Sequence, residues 1–278
     1  MSRIIKIVIL AGLLVAASYL LGTICRRVQW GYELIFAPSL ELGTLLLWCL
    51  AGAGAVAVAS GLAAALVRPL WASALAFLLA SLALLLGWEV RRGMGLLALL
   101  YFLALLLYAV GTARALEERV RFSVRACLSD GLSLLLTVLA LIACGGIYFS
   151  YAAQIEAEGF SIPPSLKDTF VEMVMQRLSA QMEAQEELKP EEMGKQLAEI
   201  REQMERMWLE PAESRLKPYE RFIPAALALG LFWTLRTLLA FLAWVPALVL
   251  RGLFPLLTLL RVTKVVRETR EVERLVIG

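Results

Sequence analysis

The sequence predicts an all-α fold: a polytopic transmembrane helical bundle of about six spans that carries an α-helical hairpin outside the membrane. Two observations lead to this prediction. Of the 278 residues 60% are hydrophobic, and mean hydropathy is +0.75. These residues come in long blocks, and a helix needs roughly 20 apolar residues to cross a bilayer core of about 30 Å. A soluble protein interleaves its apolar residues with polar ones instead.

Six apolar blocks follow one another along the chain. They cover residues 4–22, 42–67, 70–88, 94–113, 131–151 and 222–260. The last block is too long for one upright span, and Pro246 and Pro255 bend it. We expect one crossing over 222–244, followed by a bent helix lying in the membrane interface. Two crossings remain the alternative.

The charges predict the orientation of the spans. Basic residues cluster near the N-terminus, in the 114–125 loop and in the 261–274 tail, whereas residues 152–221 hold 15 acidic and 9 basic residues. By the positive-inside rule both termini are cytoplasmic and 152–221 is extracytoplasmic. The pairs at 26–27 and 91–92 oppose this assignment. The first span is expected to be retained, with a cleaved signal peptide as the alternative.

Three regions follow from these assignments. Residues 1–151 form the first five spans with short loops. Residues 152–221 form an acidic extracytoplasmic helical hairpin, and residues 222–278 form the last span, the interfacial helix and a basic cytoplasmic tail. Within the first region, residues 114–129 are expected to form a short basic amphipathic helix. Asp130 would then cap the N-terminus of the fifth span.

The second span contains a seam of small residues at helical spacing. Its members are Gly54, Ala57 and Gly61, with Ala51 and Ala64 continuing the series. Small residues allow helix backbones to approach closely in lipid, where packing drives association. We expect the seam to pack inside the bundle, and an oligomer interface is the alternative.

The segment 152–221 has the pattern of two helical arms. The first arm begins after Pro163-Pro164, near 165, and carries an apolar stripe through Phe170 and Val174. The second arm repeats apolar residues in heptad steps, typical of a coiled coil, and ends at Pro211. Its stripe consists of Met193, Leu197, Ile200, Met204 and Met207. One hairpin buries too little surface to be stable alone. It should pack on the membrane domain, a second copy or another protein.

The composition excludes much enzymatic and metal chemistry. The chain contains no His, so catalytic triads and His-ligated metals are excluded. Cys25, Cys49, Cys127 and Cys144 form no C-x-x-C pair and are expected to pack as small hydrophobic residues. The methionines of the hairpin suggest packing rather than a Cu(I) site. We therefore expect no enzymatic activity, no cofactor, no metal and no nucleic-acid partner.

Arg236 is the only charged residue deep within a predicted span. Such a residue is a functional candidate by default. No intramembrane carboxylate is available to pair with it, so we expect a structural role in which its long side chain reaches the cytoplasmic headgroups.

The expected function is that of a non-enzymatic integral membrane protein of the cell envelope. An accessory, assembly or scaffold component would display the hairpin to a partner, either another membrane or envelope protein or a second copy, besides contacting membrane lipids. The alternative is a transporter or channel subunit, which usually carries broken helices and paired intramembrane charges. An intramembrane enzyme is the least favoured class.

Overall fold

The structure is a computed structural model that describes residues 3–30, 40–67, 69–88, 93–118, 124–159, 167–168, 170–174, 176, 207 and 210–259. These residues are almost entirely helical and include no strand. They contain six helical stretches long and apolar enough to cross a membrane. The all-α fold predicted from the sequence is therefore confirmed, and the six apolar helices fit the predicted multi-pass membrane protein.

The helices are numbered in chain order. They are α1 Arg3–Trp30, α2 Leu40–Leu66, α3 Leu70–Gly87, α4 Met94–Glu118, α5 Val124–Glu158, α6 Glu210–Leu216, α7 Ile223–Leu242 and α8 Trp244–Leu259, with a 3-10 turn over Lys217–Tyr219 between α6 and α7. Ala and Leu dominate the long helices, and both have high helix propensity. The α2–α3 turn is tight, because Ser73 Oγ donates to the Val67 carbonyl at 2.8 Å just past the end of α2.

The bundle core is built around α2 and α5. Helix α1 packs on α2 and α3, α4 packs on α5, and α7 and α8 close the bundle against α5 and α2. The closest backbone approach joins α1 to α3. An added Cβ on Gly22 would clash with the Leu84 carbonyl, and one on Gly87 would clash with the Tyr19 carbonyl. Glycine at both positions allows these two helices to touch.

The basic helix predicted between the fourth and fifth spans is wrong in its described parts. Helix α4 continues to Glu118 and α5 already begins at Val124. Asp130 lies inside α5 and does not cap it. The basic residues therefore extend the ends of two spans, because a helix that has begun in lipid keeps its backbone hydrogen bonds by continuing. Helix α5 also runs beyond the predicted end at 151 and stops at Glu158, before Gly159 at φ +79°.

A helix is present after residue 244, as predicted, and its place at the membrane interface stays a prediction. Helices α7 and α8 are joined at Ala243, whose dihedrals stay helical at φ −59° and ψ −25°. Pro246, which has no N–H and whose ring crowds the preceding turn, accounts for the break. Beyond it α8 packs inside the bundle, where Leu250 is fully buried and would be met by a Cβ on Gly61 at 2.8 Å.

The predicted hairpin lies largely outside the described residues. Within its first arm, residues 167–168, 170–174 and 176 are helical. Val171 is buried there, whereas Phe170 of the predicted stripe is exposed. In the second arm Met207 is described and exposed, while Met193, Leu197, Ile200 and Met204 lie outside the described residues. Pro211 lies in the first turn of α6, so the chain is helical beyond the predicted end of the second arm.

Candidate functional site

Arg236 lies on the outer surface of α7. Its side chain is exposed, and its guanidinium carbon lies 5.6 Å from the ring centroid of Trp233, one turn earlier. Such a cation–π contact contributes about 0.5–1 kcal/mol at an exposed site. A shallow depression of about 350 Å³ surrounds the pair, lined also by Thr237, Ala240 and Phe241. Arg236 therefore faces away from the bundle interior.

The apolar stretch that contains Arg236 is longer than the predicted span over 222–244. It runs from Ile223 to Leu259 through α7 and α8, and Arg236 lies closer to its beginning than to its end. The predicted reach of the Arg236 side chain to the cytoplasmic headgroups stays a prediction.

Because the Arg236 side chain is exposed, we expect it to contribute little to the stability of the fold. We expect Arg236→Leu to change the free energy of unfolding by no more than about 0.5 kcal/mol, as for surface substitutions in general. Leu235→Ala, at the buried neighbouring position, should cost about 2 kcal/mol or more. Thermal unfolding of the purified full-length protein in mild detergent measures both. Equal losses for the two variants would show that Arg236 has a structural partner.

The small residues of α2 occupy three different environments. Ala57 is fully buried in the core. Gly61 contacts Leu250 of α8 and lies beside Tyr108 of α4. Gly54, in contrast, has nothing within 4 Å of an added Cβ. One end of the seam thus packs within the bundle, and the other end opens into a groove.

This lateral groove has a volume of about 560 Å³. Its walls come from α1, α7 and α8, its floor comes from α2, and every side chain in it is apolar. The lining residues are Leu13, Ala17, Leu47, Leu50, Ala51, Gly54, Ala55, Val58, Ala59, Leu136, Leu239, Leu242, Val245, Pro246 and Val249. Leu13 and Leu47 at its rim are exposed, so the groove opens on the outer surface of the bundle. Ligand cavities typically fall in the range of about 300–1,000 Å³.

The polar side chains buried in the described bundle are neutral, and several of them are hydrogen-bonded across helices, whereas the Tyr108 hydroxyl is buried without a hydrogen-bond partner. Gln29 at the end of α1 accepts from the indole N–H of Trp88 at 2.7 Å and donates to Ser150 Oγ of α5. Ser18 Oγ and the Tyr101 hydroxyl lie 2.8 Å apart, which joins α1 to α4. No Asp, Glu, Lys or Arg is buried among the residues that the structure describes. These pairs fasten helices together, and none provides a charged relay.

Three of the four cysteines are buried free thiols on different helices, Cys25 on α1, Cys49 on α2 and Cys144 on α5. Cys49 and Cys144 line one enclosed cavity of about 150 Å³ whose remaining lining is mostly apolar. Within the described ranges no group of three His, Cys, Asp or Glu residues could hold a metal ion. Cys127 lies in α5, in the part whose side chains the structure does not describe.

Comparison with protein-family models, with curated proteins and with solved structures finds no match. The fold by itself, with its six long apolar helices, fits a multi-pass α-helical membrane protein.

Proposed function

We propose that this protein is a non-enzymatic accessory, assembly or scaffold component of the cell envelope. It crosses the membrane six times with both termini in the cytoplasm, and it binds another protein through its acidic extracytoplasmic segment. The last crossing consists of α7 and α8 together. The proposal agrees with the clustering of Arg and Lys in the terminal and 114–125 regions.

One observation carries the proposal: three large apolar side chains of the acidic segment are exposed. Met207 is 67% exposed, and Met173 and Phe170 are 52% and 44% exposed. Flexible methionine suits surfaces that adapt to a partner. Large apolar patches on a folded protein commonly mark interaction sites.

The neutral interior of the bundle supports this class over a transporter. Transport sites usually place ionisable groups or broken helices around a cavity near the bilayer midplane. In the described residues the buried polar side chains are neutral, with Ser, Thr, Gln and Tyr among them. The two arginines of the Ile223–Leu259 stretch, Arg236 and Arg251, are both exposed.

We expect a photo-crosslinker attached at Met207 to capture a partner from outside the cell. A Met207→Cys variant with the native cysteines replaced is labelled in intact cells with a membrane-impermeant maleimide that carries a photoreactive group. Illumination should give one adduct of defined mass. The matched control is Ser214→Cys, also exposed but outside the heptad stripe, which should be labelled without giving that adduct.

Each step can contradict a separate part of the proposal. Labelling of both variants only after permeabilisation would invert the orientation. Labelling of intact cells with no adduct at Met207, or with the same adducts at both positions, would remove the case for a partner bound through this stripe.

A further inference from the structure

A second cavity of about 500 Å³ lies between the last turns of α1 and the first turns of α2. Unlike the lateral groove, it is charged at its rim, where Arg27 comes from α1 and Glu41 from α2. Trp48, about two turns further along α2 than Glu41, lines the same cavity deeper between the helices. We call the cavity, defined by these three residues, the charged mouth.

The charged mouth lies where the apolar stretches of two helices end. The stretch in α1 ends at Gln29 and that in α2 begins at Leu40. Arg27 and Glu41 are therefore placed at headgroup level, with a Trp below them, as in the interfacial belts of membrane proteins.

The charged mouth and the lateral groove follow one another along the α1–α2 pair. Leu20 lines the mouth and Ala17, one turn away, lines the groove. On α2, Trp48 likewise lines the mouth, and Ala51, one turn away, lines the groove. Both steps lead from the charged end toward the middle of the helices. The charged cavity and the apolar groove thus lie about one helical turn apart along the same pair of helices.

The charged mouth carries one cation and one anion, so it can bind a ligand that has both a negative and a positive group. Thr23 and Thr44 direct their hydroxyls to carbonyls of their own helices, at 2.7 and 2.8 Å. Arg27 and Glu41 do not form an ion pair with each other in the described structure. A guanidinium binds phosphate oxygens with paired, charge-assisted hydrogen bonds. A carboxylate accepts hydrogen bonds from an ammonium, which an indole face also attracts.

We propose that the charged mouth and the lateral groove together bind one zwitterionic phospholipid with a primary ammonium headgroup. Arg27 binds the phosphate, Glu41 binds the ammonium beside Trp48, and an acyl chain lies in the groove over Gly54. The phosphate also explains why Arg27 stands at the membrane face that the positive-inside rule assigns to fewer basic residues.

The geometry predicts an order of affinity among phospholipids. A phosphatidylethanolamine satisfies both Arg27 and Glu41. A phosphatidylcholine of the same chains has no N–H to donate to Glu41, and a phosphatidylglycerol has no cation. We expect the first to bind more tightly than either of the others by about tenfold or more, since hydrogen bonds to charged groups are the stronger ones.

Native mass spectrometry of the full-length protein, titrated with these three lipids of identical acyl chains, measures the affinities. Arg27→Gln should weaken phosphatidylethanolamine binding about tenfold or more, because it removes the charged phosphate ligand. Glu41→Gln should abolish the preference over phosphatidylcholine. Arg236→Gln is the matched control, an exposed arginine beside a tryptophan elsewhere in the membrane region, and should leave binding unchanged.

The acyl chain part is tested by filling the groove. Gly54→Phe adds a ring where nothing lies within 4 Å of the added Cβ, so the helix itself is not disturbed. It should lower affinity about tenfold or more while the melting temperature of the lipid-free protein stays constant. Gly111→Phe, on α4 and equally open, should bind lipid as the wild type does.

Two results would overturn the inference. Equal affinity of the wild type for the three lipids, or unchanged binding by Arg27→Gln and Gly54→Phe, would identify non-specific annular lipid. Dissociation of a dimer by Gly54→Phe with lipid affinity intact would assign the groove to a second copy of the chain.

Discussion

Replacing Gly22 by leucine is expected to lower the free energy of unfolding by about 3 kcal/mol or more, because the obstacle is backbone. The Cβ at this position meets the carbonyl oxygen of Leu84 and lies 3.1 Å from the Cα of Gly87. Side chains can change rotamer to admit extra atoms, whereas a helix backbone can only move as a whole. Helices α1 and α3 would have to separate along their closest contact.

The matched control for this substitution is Gly12→Leu in the same helix. Nothing lies within 4 Å of an added Cβ at Gly12, so leucine there should be neutral or stabilising by its better helix propensity, about 0.8 kcal/mol. Thermal unfolding of both full-length variants in the same detergent gives the comparison. Equal melting temperatures would mean that the α1–α3 contact is not as close as described.

Gln29→Leu should produce the second large effect, a loss of about 1–3 kcal/mol. The substitution removes two hydrogen bonds and leaves the Trp88 indole N–H and the Ser150 hydroxyl buried without their partner. An unsatisfied buried polar group costs about 1–3 kcal/mol, and values in membrane bundles fall toward the lower end of that range. Because Gln29 joins α1 to the end of α3 and to α5, the loss should be global.

Thr23→Val provides the control for Gln29. The Thr23 hydroxyl bonds only to the Leu20 carbonyl of its own helix, so its removal breaks no contact between helices. We expect a change below about 0.5 kcal/mol. A loss for Gln29→Leu no greater than for Thr23→Val would show that the three-residue contact adds nothing to stability.

The two proposals concern different parts of the molecule, and each can be contradicted while the other holds. The crosslinking experiment at Met207 depends on the acidic segment, whereas the lipid titration depends on Arg27, Glu41 and Gly54 in the bundle. Loss of lipid selectivity in Arg27→Gln therefore leaves the expected adduct at Met207 unaffected.

The glycines of α1 and α3 show what the sequence signals and what it omits. The small-residue seam of α2 is recognisable from its spacing alone. Gly22 and Gly87 each stand at the end of a span with no repeat beside them, and nothing local indicates that they meet. Gln29 is likewise one polar residue at a helix end until the fold brings Trp88 and Ser150 to it.

The sequence by itself determined that the chain is helical, that it enters a membrane, and which regions stay outside the apolar blocks. Each of these properties depends on the residues of one segment alone, since the free energy of transferring a helix into hydrocarbon is the sum over the residues of that helix. The sequence alone also excluded histidine-dependent chemistry. The early start of α5, the path of α8 and the outward face of Arg236 were decided by tertiary structure.

The reason is the medium in which the helices pack. In water the apolar stripe of a helix indicates which face is buried. In lipid both faces are apolar, so the side turned to a neighbour is chosen by shape and by a few polar contacts. The packing of Leu250 beside Gly61 and the hydrogen bond from Trp88 to Gln29 are contacts of this kind. Only the assembled bundle shows which residues take part, and only there do the cavities lined by Arg27 and Glu41 and by Gly54 follow one another along α1 and α2.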